Sequence, residues 1–206
     1  MVEVYKEKGI VSLLPWQASV LGPACSSASL PLLSSNILFT APTSAGKSVV
    51  AELLALSALL RGLRVLFVLP YISVAREKQS HLQRLLRSVD LSVASFMGAQ
   101  SAPPAGDWNA AVCTIEKANG LVNACIADES GTLLERLGII VLDEVHMVWD
   151  SSRGVTLDGL AAKLQETRVV AMSATLTGVD AVGRWLSTRS QSTDVYSVVN
   201  GDRIFE

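Results

Sequence analysis

The sequence predicts an α/β domain: a doubly wound, mainly parallel sheet with helices on both faces. Three observations predict it. Hydrophobic residues make up 50% of the 206 residues and charged ones only 17%, a drier balance than an average soluble domain shows. Short Val/Ile/Leu runs alternate with helical patterns from residue 36 onward, which is the signature of β-α units. After Gly138 the run Ile139, Ile140, Val141, Leu142 is apolar at every position, as in a strand covered on both faces.

Taken in order, residues 1–35 read as a lead-in segment packed on the sheet edge, with a Ser/Pro-rich tract at 26–35. Residues 37–40 are a strand candidate and 47–61 a helix; 64–69 and 74–87 repeat the pair. Strands at 92–96 and 110–114 flank a Pro/Gly loop at 101–107, and a helix follows at 116–127. The buried strand at 138–142 leads to a helix at 154–165, a strand at 169–172 and a helix at 179–186.

The bulk numbers exclude several classes. A net charge of −2 gives no global basic field, so nucleic-acid contacts must come from a local patch or from backbone amides. Cys25, Cys113 and Cys125 form no C-x-x-C pair and read as reduced, buried thiols of an intracellular protein. Two histidines and no Cys/His cluster argue against a zinc site. The first eight residues carry charges and no apolar core, so no secretory signal is expected. The most apolar stretch, 49–60, is interrupted by Glu52 and too short to span a bilayer, so no membrane partner is expected.

Chemistry enters at Ala41, Pro42, Thr43, Ser44, Ala45, Gly46, Lys47 and Ser48, between a strand and a helix. That context is what a phosphate-binding loop requires. Gly46 lets the backbone approach phosphates, and the amides of Thr43 to Ser48 at a helix start attract the β-phosphate. Lys47 meets the β/γ-phosphates, and the Ser48 hydroxyl is suited to Mg²⁺. A glycine turn capped by a lysine is the bland alternative; the flanking strand and helix disfavour it. ATP and Mg²⁺ are therefore the expected cofactors.

Asp143 and Glu144 follow the buried strand, at the end that lines the crevice of a parallel sheet. There Asp143 would hold Mg²⁺ and Glu144 would polarise the attacking water, with Lys47 as its catalytic partner on the phosphates. Ser173 and Thr175 end a later strand. Small hydroxyl residues are common in turns, but they gain meaning as the third motif in this order.

These three motifs resemble motifs I, II and III of superfamily 2 DExH helicases. The strings from Leu69 to Lys78, Cys113 to Leu121, Asp143 to Met147 and Asp150 to Gly154 are similar to the polymerase theta branch of that family. The resemblance runs from Leu14 to Glu206. It implies a RecA-like fold over 36–199, with 1–35 as a lead-in that carries an adenine-reading motif. Residues 200–206 would begin the connection to a second RecA-like domain, in cis or in trans. Gln17 resembles the adenine-reading glutamine. Pro70, Tyr71, Arg76, Thr114, Glu116, Lys117 and Asn119 would face a nucleic-acid strand, and His146, Ser173 and Thr175 would couple the sites; for His146 a satisfied histidine near the core is an equal alternative. Trp149 departs from the small residue usual in that branch.

By this resemblance the chain is the ATP-binding half of a nuclear, ATP-dependent DNA helicase or translocase in double-strand-break repair, acting on single-stranded or partly duplex DNA. A nucleotide-binding module without turnover of its own, or an RNA helicase of the same branch, are the alternatives. Of the charges Arg76, Lys78, Arg84 and Arg87 on one helix, Arg76 is the best phosphate candidate; the latter two read as a solvated face.

Overall fold

The computed structural model describes residues 2–7, 9–25, 35–98, 107–127, 136–164, 167–174, 178–189, 192–199 and 202–205. Among the described residues, eight strands form one sheet: β1 (Asn36–Thr40), β2 (Arg64–Leu69), β3 (Val93–Phe96), β4 (Ala110–Thr114), β5 (Leu137–Asp143), β6 (Arg168–Ser173), β7 (Thr193–Val199) and β8 (Asp202–Phe205). Their order is β3-β4-β2-β5-β6-β1-β7-β8. The first seven in this order pair in parallel, and β8 closes the edge antiparallel to β7. The expected doubly wound, mainly parallel sheet is thus what the chain forms.

Two cores divide along the two-residue period of the strands. Ile37 and Phe39, Val65 and Phe67, Ile139 and Val141, and Val170 and Met172 face one side. Leu38, Leu66, Val68, Ile140, Leu142, Val169 and Ala171 face the other. The first side is covered by α1 (Val2–Glu7), α2 (Pro15–Cys25), α3 (Lys47–Leu59) and α4 (Ile72–Leu86). The second is covered by α5 (Ile115–Ala127), α6 (Gly154–Ala162) and α7 (Val179–Arg189). Both sides of β1, β2, β5 and β6 are dry, which is why they read as unbroken apolar runs. Each fully buried Leu, Ile or Phe contributes roughly 1.5–3 kcal/mol.

Three expectations need correction. The lead-in segment lies on a sheet face, not the edge: Trp16, Val20 and Leu21 on α2 join the first core, and the Trp16 ring sits 6.1 Å from that of Phe39 on the interior strand β1. Strands β7 and β8 were not expected; Thr193, Asp194 and Ser197 dilute the apolar signal of an edge region. Of the thiols, Cys113 is buried but Cys125 is only half-buried.

The same layering sets the ends. All the parallel strands point one way, so the loop after β1, the residues after β2 and β4, and the carboxylates ending β5 gather at one end of the sheet. Among the described residues, no helix is long and apolar enough to cross a membrane.

Candidate functional site

The loop between β1 and α3 alternates its backbone hand. Ser44 has φ 67° and Gly46 φ 82°, with Ala45 donating its N–H back to the Pro42 carbonyl at 3.1 Å. Such alternation turns successive N–H groups toward one concavity, and α3 begins directly behind it, adding its dipole. Gly46 is favoured by its backbone and crowded by a neighbouring side chain. Its φ favours glycine, and a Cβ there would collide with the Gln17 side-chain amide.

Gln17 explains that crowding. It is 3% exposed, accepts the Leu14 N–H at 2.8 Å on Oε1, and donates from Nε2 to the Gly46 carbonyl at 3.0 Å. The side chain therefore ties α2 to the loop. One Nε2 hydrogen and one Oε1 lone pair remain for another partner.

Lys47 curls over the loop and donates from Nζ to the carbonyls of Ala41 at 2.8 Å and Pro42 at 3.0 Å. Burial pushes its pKa down, and the nearby carboxylates of Glu144 and Asp143 oppose that shift. Thr43, Ser44 and Ser48 are exposed, while Ala45 and Gly46 are half-buried. Ser48 and Asp143 line one small cavity of about 150 Å³, so the loop and the end of β5 do meet.

Asp143 accepts the Glu144 N–H at 2.9 Å. Burial, and secondarily Glu144, raise its pKa; Lys78 and Lys47 pull the other way. Glu144 is left-handed, φ 52° and ψ 49°, and caps the 3-10 helix Val145–Trp149. Its Oε2 is buried without a hydrogen bond. His146 Nδ1 stands 3.2 Å from that oxygen, within ion-pair reach, but the approach is off the line of a hydrogen bond. The same nitrogen lies 3.0 Å from Ser173 Oγ at the end of β6. His146 is thus a half-exposed bridge between two strand ends, and not a core histidine. Thr175 lies outside the described residues.

A second concavity, of about 510 Å³, opens beyond β2 and β4. Pro70, Tyr71, Thr114, Glu116 and Lys117 line it, together with Arg153. Arg76 and Asn119 are not among its lining residues; Arg76 is exposed on α4, and Asn119 accepts the Lys163 ammonium at 2.7 Å. Arg153 was missed by sequence reasoning as a site residue. Its only signal was its place after Asp150 in a string singled out for another reason.

A buried polar cluster was also missed. Glu52, on α3 one turn after Ser48, accepts Lys78 Nζ at 2.6 Å and the Tyr5 hydroxyl at 3.0 Å, and His81 Nε2 lies 2.9 Å from its Oε2. Burial alone would raise the Glu52 pKa, but the His81 hydrogen bond and Lys78 outweigh it and hold the carboxyl at about 2. Tyr5 moves the opposite way, pushed up by burial and then by Glu52.

Comparison with known proteins finds similar polymerase and helicase chains. DNA polymerase theta of Caenorhabditis elegans is 43% identical over 194 residues, which is 90% of this chain and 12% of that protein. The human Helicase POLQ-like protein is 35% identical, over 87% of this chain and 16% of that protein. The chain therefore spans about an eighth of the polymerase theta relative's length and a sixth of the other's. A solved structure of the helicase MrfA bound to DNA superimposes with a TM-score of 0.74 at 20% identity, covering 98% of this chain and 29% of that one. The fold is that of RecA-like helicase domains. A family model described as DEAD/DEAH box helicase matches residues 23–182, and the chain belongs to that family.

Proposed function

We propose that residues 36–199 are the ATP-binding domain of an ATP-dependent DNA helicase or translocase that acts in double-strand-break repair in the nucleus. The observation that carries the reading is the meeting of Ser48, from the loop after β1, with Asp143 at the end of β5. Two of its relatives support the choice of DNA by name: DNA polymerase theta, and an ATP-dependent DNA helicase of Thermoplasma volcanium, 30% identical over 74% of this chain.

In this reading the amides of Thr43, Ser44, Ala45 and Gly46 hold the β-phosphate. Lys47 leaves the Ala41 and Pro42 carbonyls for the β/γ-phosphates. Ser48 and Asp143 are the residues that would hold Mg²⁺, which neutralises phosphate charge when bound. The donor set fits such an ion: beside the Ser48 hydroxyl, burial and the neighbouring Glu144 leave the Asp143 carboxylate short of compensating positive charge. Glu144 takes the proton of the attacking water on its Oε2. Gln17 reads the adenine with its remaining donor and acceptor.

Pro70, Tyr71, Thr114, Glu116 and Lys117 form the strand cleft, with Arg76 and Asn119 at its margins. Contacts there go to the sugar-phosphate backbone and are indifferent to sequence. His146, Ser173 and Thr175 relay the state of the nucleotide. A second RecA-like domain, begun by residues 200–206 or supplied in trans, completes the ATP site. Residues 1–35 brace the loop through Gln17.

The test joins a second RecA-like domain to this chain and measures ATP turnover and strand displacement with and without single-stranded DNA. DNA-stimulated turnover and displacement are expected. A fused protein that binds ATP but neither responds to DNA nor separates strands would sink the helicase reading.

A further inference from the structure

Arg153 sits where two chain segments of the cleft meet. Its Nε lies 3.2 Å from Glu116 Oε1, at the start of α5. Its guanidinium carbon lies 5.1 Å from the centre of the Tyr71 ring, just after β2. The backbone beneath it is fixed: Asp150 Oδ1 accepts the N–H of both Ser152 and Arg153 at 2.9 Å, and Gly154 donates to the Asp150 carbonyl at 2.8 Å. The side chain is held more loosely. Arg153 is 28% exposed, Glu116 53% exposed, and the terminal amino groups of Arg153 make no hydrogen bond among the described residues.

An exposed ion pair of this kind contributes little to stability. It does place a carboxylate where a planar guanidinium fork would otherwise meet a phosphate. Tyr71, 53% exposed, offers an aromatic surface in the same cleft, suited to a base. Lys117 adds a second cation on its lining. One arginine, one lysine and one ring make a seat for a single nucleotide unit, and Glu116 is the only acidic group lining it among the described residues.

We propose that Arg153 is the phosphate-binding residue of this cleft and that Glu116 masks it, standing in for a strand phosphate until one displaces it. This rests on the reading of the cleft as the strand site, and it reassigns Glu116 from a strand contact to an internal competitor. The consequence has a sign. A carboxylate that only braced Arg153 would help binding, so its loss would weaken or not change affinity. A mask repels the strand and occupies its ligand, so its loss strengthens affinity.

The experiment follows the anisotropy of a short fluorescein-labelled oligothymidylate titrated with the 206-residue chain at several salt concentrations. Glu116→Gln should bind several-fold tighter than the parent. Arg153→Ala should bind about tenfold weaker, with a salt slope reduced by about 0.7, the share of one phosphate contact on a single strand. In Arg153→Ala the gain from Glu116→Gln should shrink. Thermal melts establish that each variant folds. If Arg153→Ala does not fold, Arg153→Lys takes its place and should keep the slope while losing affinity. Weaker or unchanged binding by Glu116→Gln, or an unchanged slope in a folded Arg153→Ala, overturns the proposal alone. No binding by the parent and by Glu116→Gln at low salt overturns the strand-site reading beneath it.

Discussion

Glu52 and Lys78, on two different helices, meet at 2.6 Å inside the domain, the carboxylate 3% and the ammonium side chain 10% exposed. The ammonium also lies 5.2 Å from the Phe67 ring centre, and His81 and Tyr5 fill out the carboxylate's partners. The pair fastens α3, which begins at the Ala41–Ser48 loop, to α4, which begins at the cavity lined by Pro70 and Tyr71. Removing one partner leaves the other buried and unpaired. Glu52→Gln should therefore destabilise the domain by roughly 3–5 kcal/mol at neutral pH. The pH dependence follows from a folded pKa of about 2 against an ordinary 4.5. A depressed carboxylate stabilises above its unfolded value, and this contribution is lost as pH falls from 4.5 toward 2. Urea melts across that window should show the parent weakening steeply and the variant much less. A variant as stable as the parent at neutral pH would refute the account.

Lys47→Ala should weaken ATP binding by on the order of tenfold to a hundredfold, the worth of a charge-assisted hydrogen bond. The ammonium sits over a loop open to water, where solvent can take its place at the exposed Pro42 carbonyl, so its loss should cost the fold little. Titration with a fluorescent ATP analogue reads the affinity and circular dichroism checks folding. Parent-like affinity would end the phosphate-loop assignment.

Glu144→Gln should keep Mg-ATP binding and lose turnover. The amide is nearly isosteric, but it cannot accept the proton that would pass to Glu144 Oε2 if that residue is the base. The rate is measured with a second RecA-like domain joined. A loss of two orders of magnitude or more is expected, on the order of a general base's contribution. Unchanged turnover would put water activation elsewhere.

Gly154→Ala should destabilise the domain by about 1–3 kcal/mol, the usual cost of overpacking. A Cβ at Gly154 would stand 3.1 Å from the carbonyl carbon of Val148 and nearer still to its oxygen. That contact locks the start of α6 against the 3-10 helix following Glu144. Differential scanning calorimetry would check it; an unshifted melting temperature would show that the turn yields freely.

Much of this molecule is legible along the chain because its causes are local. A strand wet on neither face has to be apolar at every position, so β2, β5 and β6 announce themselves. Glycine and small residues between a strand and a helix are the pattern a phosphate-wrapping loop needs, so Ala41 to Ser48 stand out too. The ordering of these motifs also orders them in space, since parallel strands bring their ends together. What the tertiary structure decided are the meetings of residues distant in sequence. Tyr5 and Glu52 are 47 residues apart, and His146 and Ser173 are 27 apart. Arg153 with Tyr71 and Glu116, and Gln17 with Gly46, are of the same kind. No periodicity marks such pairs, because their energy lies in burial and in partners supplied by other elements. A glutamate in an apolar helix looks alone until folding brings it a lysine and a histidine, and an arginine after a turn looks solvated until folding lays it across an aromatic ring.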